Sequence, residues 1–203
     1  MKKAIIFDLD NTIYPTETIG EKLFRPLIDH LKNSEMHADK IEDIKKDIMR
    51  IPFQAVAERY NIKDELKEEC MNILKELSYD GPIEPFEDFN QIRQLPVDRF
   101  LVTTGFKKMQ QSKVKALNLD RDFKGIYIID PTTTEKKKKD LFKEIMQENG
   151  YEVADVLVIG DDPDSEIKGA TELGIDTVLY DKKNEHEIGN ATYKISDYRE
   201  LKL

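Results

Sequence analysis

The stretch Ala4-Ile5-Ile6-Phe7-Asp8-Leu9-Asp10-Asn11-Thr12 decides how the rest of the chain is read. Ala4 to Phe7 is a continuous apolar run, the pattern of a strand buried on both faces, and it stops at Asp8 with a second carboxylate two residues on. Extended chain alternates faces with period two, so Asp8 and Asp10 project to one side while Leu9 turns away. Both carboxylates then converge at the C-terminal end of the strand. In an open parallel sheet that is where ligands bind.

Working outward, the pattern after Thr12 becomes helical. Leu23, Leu27 and Leu31 form one stripe, Ile41, Ile44 and Ile48 a second, Ala55 to Tyr60 a shorter patch and Leu66 to Leu77 a fourth. Pro15-Thr16 opens this block, and Gly81-Pro82 with Pro85 closes it. The spacing predicts a helical insertion over residues 15–82, placed after the first strand, with residues 1–14 and 83–203 forming the other domain.

From Pro96 onward strand alternates with helix. Phe100-Leu101-Val102, Ile126 to Ile129, Val156 to Ile159 and Thr177-Val178-Leu179 read as strands, and Tyr193-Lys194-Ile195 as a last short one. Helices are expected through about Leu117, across Leu141 to Met146, and around Ile167 to Leu173. The rhythm predicts an α/β fold, a Rossmann-like open parallel sheet with helices on both faces.

With 203 residues the chain can bury one sizeable core plus a small inserted unit. A net charge of −9 argues against non-specific binding of nucleic acid or of an anionic membrane, since both need a basic surface. No apolar run approaches membrane-spanning length, and the N-terminus shows no signal-peptide pattern, so the expected location is cytoplasmic. The single cysteine, Cys70, excludes an intramolecular disulfide and shares a helical face with Leu66, Ile73, Leu74 and Leu77, the setting of a buried structural thiol.

How the strands end is the informative regularity. The first stops at Asp8, the next at Thr103-Thr104-Gly105, the third at Asp130-Pro131 and the fourth at Gly160-Asp161-Asp162. Parallel strands share a direction, so all four sets fall on one edge of the sheet. Asp162, Asp164 and Glu166 do not make a calcium loop, because Ile167 stands where glycine is required and Leu173 where a bidentate glutamate is required.

Taken in order, these residues resemble the four motifs of the haloacid dehalogenase (HAD) superfamily, in its phosphatase form with a small α-helical cap. Phe7-Asp8-Leu9-Asp10-Asn11-Thr12 is similar to motif I and Thr103 to motif II, with Thr104 replacing a common Asn. Lys136, six residues before Phe142, resembles the motif III lysine; Lys137 replaces the proline that commonly follows, and the register within Lys136 to Lys139 stays open. Gly160 to Glu166 resembles motif IV, with Asp161 at the acidic metal ligand and Glu166 where a second Asp is common. Asp10 to Pro15 and Leu95-Pro96 also resemble the pyrimidine 5′-nucleotidase branch.

The resemblance implies a Mg²⁺-dependent phosphatase acting on a small phosphorylated metabolite, with a nucleoside 5′-monophosphate as one candidate. Asp8 and Asp161 would bind the metal with the backbone carbonyl of Asp10. Thr103 and Lys136 would hold the phosphoryl oxygens while Asp8 attacks, forming an aspartyl-phosphate. Asp10 would serve as general acid and then as base. Its presence separates this chain from the haloacid dehalogenases, whose halide leaves without a proton. The same motifs would also serve a phosphomutase, and a non-catalytic binding protein could keep the fold. His30, His37 and His186 read as surface histidines, and oligomeric state is not legible.

Overall fold

The structure, a computed structural model, describes residues 1–34 and 38–202. Among them six strands pair in parallel: β1 (Ala4–Phe7), β2 (Asp98–Thr104), β3 (Gly125–Ile129), β4 (Val156–Gly160), β5 (Asp176–Tyr180) and β6 (Tyr193–Ile195). Their order across the sheet is β3-β2-β1-β4-β5-β6. The chain thus builds outward from β1 in one direction and then returns to build in the other. A crevice opens at such a switch point, outside the carboxyl ends of the central strands.

The apolar run of β1 explains its central place. Ala4, Ile5, Ile6 and Phe7 are all fully buried between β2 and β4, with Phe7 opposite Leu101 on one side and Ile159 on the other. Alternation sends Ile5 and Phe7 to one face, with Leu101, Leu157 and Ile159, and Ala4 and Ile6 to the other, with Phe100, Val102 and Val158. The second face is covered by α7 (Lys138–Asn149) through Leu141, Phe142 and Ile145. The first is covered in part by α6 (Lys107–Ala116), through Met109 and Val114.

Between β1 and β2 lie α1 (Glu17–Asn33), α2 (Ile41–Ile48), α3 (Phe53–Arg59) and α4 (Asp64–Glu76), each where the sequence shows an apolar stripe. Leu23, Leu27 and Leu31 are buried on α1, Ile44 and Ile48 on α2, and Leu66, Cys70 and Leu74 on α4. These side chains belong to the same continuous cluster as Phe7, Leu9, Ile13 and Tyr14, so the helices pack onto the loop leaving β1 as well as onto each other. Burial pushes the Cys70 thiol up to about 12, which keeps it inert at neutral pH.

The C-terminal segment returns to brace that loop. Tyr198 stacks on Tyr180 with ring centroids 4.3 Å apart, and its hydroxyl donates to the Thr12 carbonyl at 2.8 Å. The buried Asp88 carboxylate accepts from the Tyr180 hydroxyl and from the Tyr198 backbone N–H, tying the last strands to the chain just before α5 (Asn90–Arg93). Among the described residues no helix is long and apolar enough to cross a membrane.

Candidate active site

At the end of β1 the Asp8 backbone N–H still donates to Ile159 of β4 at 3.0 Å, so the sheet ladder fixes the position of the carboxylate. The Asp8 side chain is only 7% exposed and accepts from Lys138 Nζ at 2.5 Å. The same ammonium donates to Glu166 Oε2 at 2.7 Å, and Glu166 is 1% exposed. Oxygens of Asp8, Asp161 and Glu166 all lie within 4.8 Å of one another. Three carboxylates from two distant stretches of the sequence therefore share one pocket with Lys138.

Gly160 permits this arrangement. A Cβ built on it would stand 2.0 Å from Glu166 Oε1, so no larger residue fits beneath that carboxylate. Glu166 Oε1 instead accepts the Asp162 backbone N–H at 2.8 Å. The segment Pro163–Ile167 is a single π-helical turn, which adds a residue to the helical spacing before α8 (Lys168–Thr171).

Asp10 has a different set of neighbours. The chain turns through Asn11 at φ 53°, and the Asn11 side chain accepts from both the backbone and the hydroxyl of Thr16, which stabilises the turn locally. Asp10 Oδ1 accepts from the Tyr14 hydroxyl at 2.5 Å and from Lys113 Nζ at 2.8 Å. Its Oδ2 accepts from Gln110 Nε2 at 3.0 Å, and that amide nitrogen also donates to Thr103 Oγ1 at 2.7 Å. Thr103 is buried.

Electrostatics divide the site in two. Burial, reinforced by Glu166 and Asp10, raises the Asp8 carboxyl from its ordinary 3.8 to about 7, although Lys138 opposes the shift. Burial, with Glu166 and Asp8, also holds the Asp161 carboxyl well above its ordinary value. For Asp10 burial acts in the same direction, but Lys113 and the hydrogen bonds from Tyr14 and Gln110 outweigh it and hold the carboxyl low. Burial works against the charge of Lys138 too, and the neighbouring Asp8 and Glu166 keep it protonated.

The structure brings together Asp8, Asp10, Thr103 and Asp161. It does not bring Lys136 with them. Lys136 precedes α7 and pairs on the surface with Glu144 at 2.7 Å, whereas Lys138 opens α7 and reaches Asp8. The reason is helical register: Lys138 lies three and four residues before the buried Leu141 and Phe142, so it shares their inward face. Asp130 also turns elsewhere, accepting the Lys107 backbone N–H at the start of α6.

Gln110, Lys113 and Tyr14 were missed by the strand-end reading. A signal was present, because Gln110 and Lys113 fall on the buried stripe of α6 with Met109, Val114 and Leu117. His30 pairs with Glu69 on the surface and His186 sits in an exposed loop; His37 lies outside the described residues.

A cavity of about 680 Å³ stands over these groups, with Asp8, Asp10, Thr103 and Lys138 in its wall. The helical segment also lines it, mostly with apolar side chains that include Ile19, Phe24, Ile51 and Phe53, and with Thr16, Arg50, Gln54 and Glu58 among its polar members.

A model of the family described as haloacid dehalogenase-like hydrolase matches residues 5–180. The chain belongs to this family. The hydrolase is similar to a glyceraldehyde 3-phosphate phosphatase of Methanopyrus kandleri, 24% identical over 88% of this chain and 83% of the relative. It is also similar to the pyrimidine 5′-nucleotidase PynA of Streptococcus pneumoniae, 26% identical over 51% of this chain and 45% of that protein. Among solved structures, YfnB from Bacillus subtilis, determined bound to magnesium, superposes with a TM-score of 0.60 at 19% identity, covering 98% of this chain and 96% of the other. The resemblance read from the four motifs and the parallel-sheet fold is thus borne out.

Proposed function

We propose that this haloacid dehalogenase-like hydrolase is a Mg²⁺-dependent phosphatase that hydrolyses a small phosphate monoester through an aspartyl-phosphate on Asp8. The observation that carries the reading is the convergence of Asp8, Asp161 and Glu166 around Lys138 at the floor of a cavity, with Asp10 on its other side. Both relatives named above are phosphatases of small phosphate esters by their names.

The donor set fits a hard divalent cation. Three carboxylate oxygens crowd within 4.8 Å, and two of these acids are held above their ordinary pKa by burial and mutual repulsion, a state that added positive charge relieves. Asp8 and Asp161 would hold Mg²⁺, with Glu166 beside them. Bound there, the ion would supply charge neutralisation between the Asp8 carboxylate and an anionic phosphoryl group.

The residues of this chain then divide the work. Lys138 Nζ holds phosphoryl oxygens in line with Asp8, taking the role the sequence reading gave to Lys136. Thr103 Oγ1 already accepts from Gln110, which leaves its own O–H free to donate to the substrate. Asp8 attacks phosphorus and the P–O ester bond breaks; Asp10, ionised in the resting site, takes up a proton as the substrate enters and gives it to the departing oxygen. Asp10 next takes a proton from water, which attacks the phosphoryl group and frees Asp8.

We assign residues 15–82 the role of a cap over this site, since their helices supply the apolar wall that faces the leaving group. A cavity of this size suits a metabolite rather than a phosphoprotein, including a nucleoside 5′-monophosphate, and the cytoplasm is the compartment we assign. The test is phosphate release from a panel of metabolite esters, with Mg²⁺ and with excess chelator, for the wild type and Asp8→Asn. Release that needs Mg²⁺ and is lost in a folded Asp8→Asn protein is expected. Turnover that survives chelation or the substitution would contradict the reading.

A further inference from the structure

Helix α6 carries two polar side chains on the face it buries. Gln110 is 1% exposed and Lys113 5%, between the apolar Met109 and Val114. Burying a lysine is costly unless its charge is met, and a packing surface alone calls for Leu or Met at such positions. Both side chains instead reach the Asp10 carboxylate from one helical turn, three residues apart.

We propose that Gln110 and Lys113 are positioning residues that hold the Asp10 carboxylate toward the leaving group and tie it to the phosphate-binding hydroxyl of Thr103. The amide of Gln110 bridges the two, donating to Asp10 Oδ2 at 3.0 Å and to Thr103 Oγ1 at 2.7 Å. Whatever fixes the phosphoryl group against Thr103 therefore also sets its distance from Asp10. Proton transfer depends on such placement to within fractions of an ångström.

Gln110 is set for this task at the expense of its own hydrogen bonding. Its Oε1 is buried and has no partner among the described residues, while the amide nitrogen faces the Asp10 carboxylate, the Thr103 hydroxyl and the Thr104 carbonyl, an orientation those acceptors fix. Lys113 spans both Asp10 oxygens, at 2.8 and 3.0 Å.

The inference rests on the phosphatase reading, and its test separates the two. First-step rates are measured in single turnovers with p-nitrophenyl phosphate, whose phenolate leaves unaided, and with glycerol 3-phosphate, whose alkoxide needs a proton. The proteins are the wild type, Gln110→Met and Lys113→Met, all in Mg²⁺. In both variants the loss for glycerol 3-phosphate should exceed the loss for p-nitrophenyl phosphate by ~10-fold or more, within the range general acid catalysis supplies. Equal losses for the two esters, as loosening of the helix gives, or no loss at all, would overturn the proposal. Should Lys113→Met fail to fold, Gln110→Met decides, since it leaves the ion pair in place. A wild type that releases phosphate from neither of these two esters and from no member of the metabolite panel overturns the phosphatase reading, and with it this inference, before any variant is compared.

Discussion

Asp8 and Asp10 stand two residues apart on one short turn of chain, and their surroundings push them in opposite directions. The Asp8 side of the crevice gathers Asp161 and Glu166 near Lys138, and burial lifts the Asp8 and Asp161 carboxyls. On the Asp10 side, Lys113, Gln110 and Tyr14 all donate to one carboxylate and hold it low. Identical side chains thus acquire different chemistry from the elements packed beside them. The first side is short of positive charge and suited to a cation and a phosphate; the second is already compensated, which keeps Asp10 ionised in the resting site and ready to take up a proton.

The largest expected effect breaks the Asp8 side directly. Lys138→Ala removes the ammonium that Asp8 and Glu166 share and should lower turnover by ~10²-fold or more. Lys136→Ala removes an exposed pair with Glu144 and should change turnover by less than about 2-fold. Steady-state kinetics on the two variants checks this, and equal losses would return the phosphate-binding role to Lys136.

Gly160→Ala comes next. A methyl there collides with Glu166 Oε1, so the carboxylate must leave its place, and the Mg²⁺ concentration for half-maximal activity should rise by ~10-fold or more, as loss of a supporting group around a metal typically causes. An unchanged Mg²⁺ titration would remove Glu166 from the metal's surroundings. Activity on the Asp10 side should otherwise be retained at saturating metal.

A smaller effect lies in stability. An acid whose folded pKa is raised, here Asp8 from 3.8 to about 7, binds more protons folded than unfolded through that window, so metal-free stability falls as pH rises across it. Mg²⁺ relieves the repulsion that causes the shift. The rise in Tm on adding Mg²⁺ should therefore be larger at about pH 8 than at about pH 5.5. An equal rise at both values would show that the carboxylates do not titrate in this range.

How much of this was legible in the sequence follows from what each signal depends on. The sheet was, because buried parallel strands announce themselves as apolar runs and their ends as carboxylates and glycines; Ala4–Phe7 and Val156–Gly160 are where the pattern places them. The helices after β1 were also legible as stripes at helical spacing. The phosphate-side lysine was not, because counting from a motif ignores the helix face, and it is Lys138, in register with Leu141, Phe142 and Ile145, that turns inward. Gln110 and Lys113 could not be paired with Asp10 from sequence, since a contact across about a hundred residues depends on how α6 docks against β1.

The division of labour between the two aspartates is tested most directly by the Asp10→Asn variant, mixed with p-nitrophenyl phosphate in Mg²⁺ and quenched within one turnover. With Asp8 still able to attack and no base left to activate water, p-nitrophenolate should appear in a burst. Mass spectrometry should then find the phosphoryl group on the peptide that contains Asp8. A folded variant that gives no burst and carries no phosphoryl group on Asp8, yet still releases phosphate slowly, would contradict the assignment of attack to Asp8 and of proton transfer to Asp10.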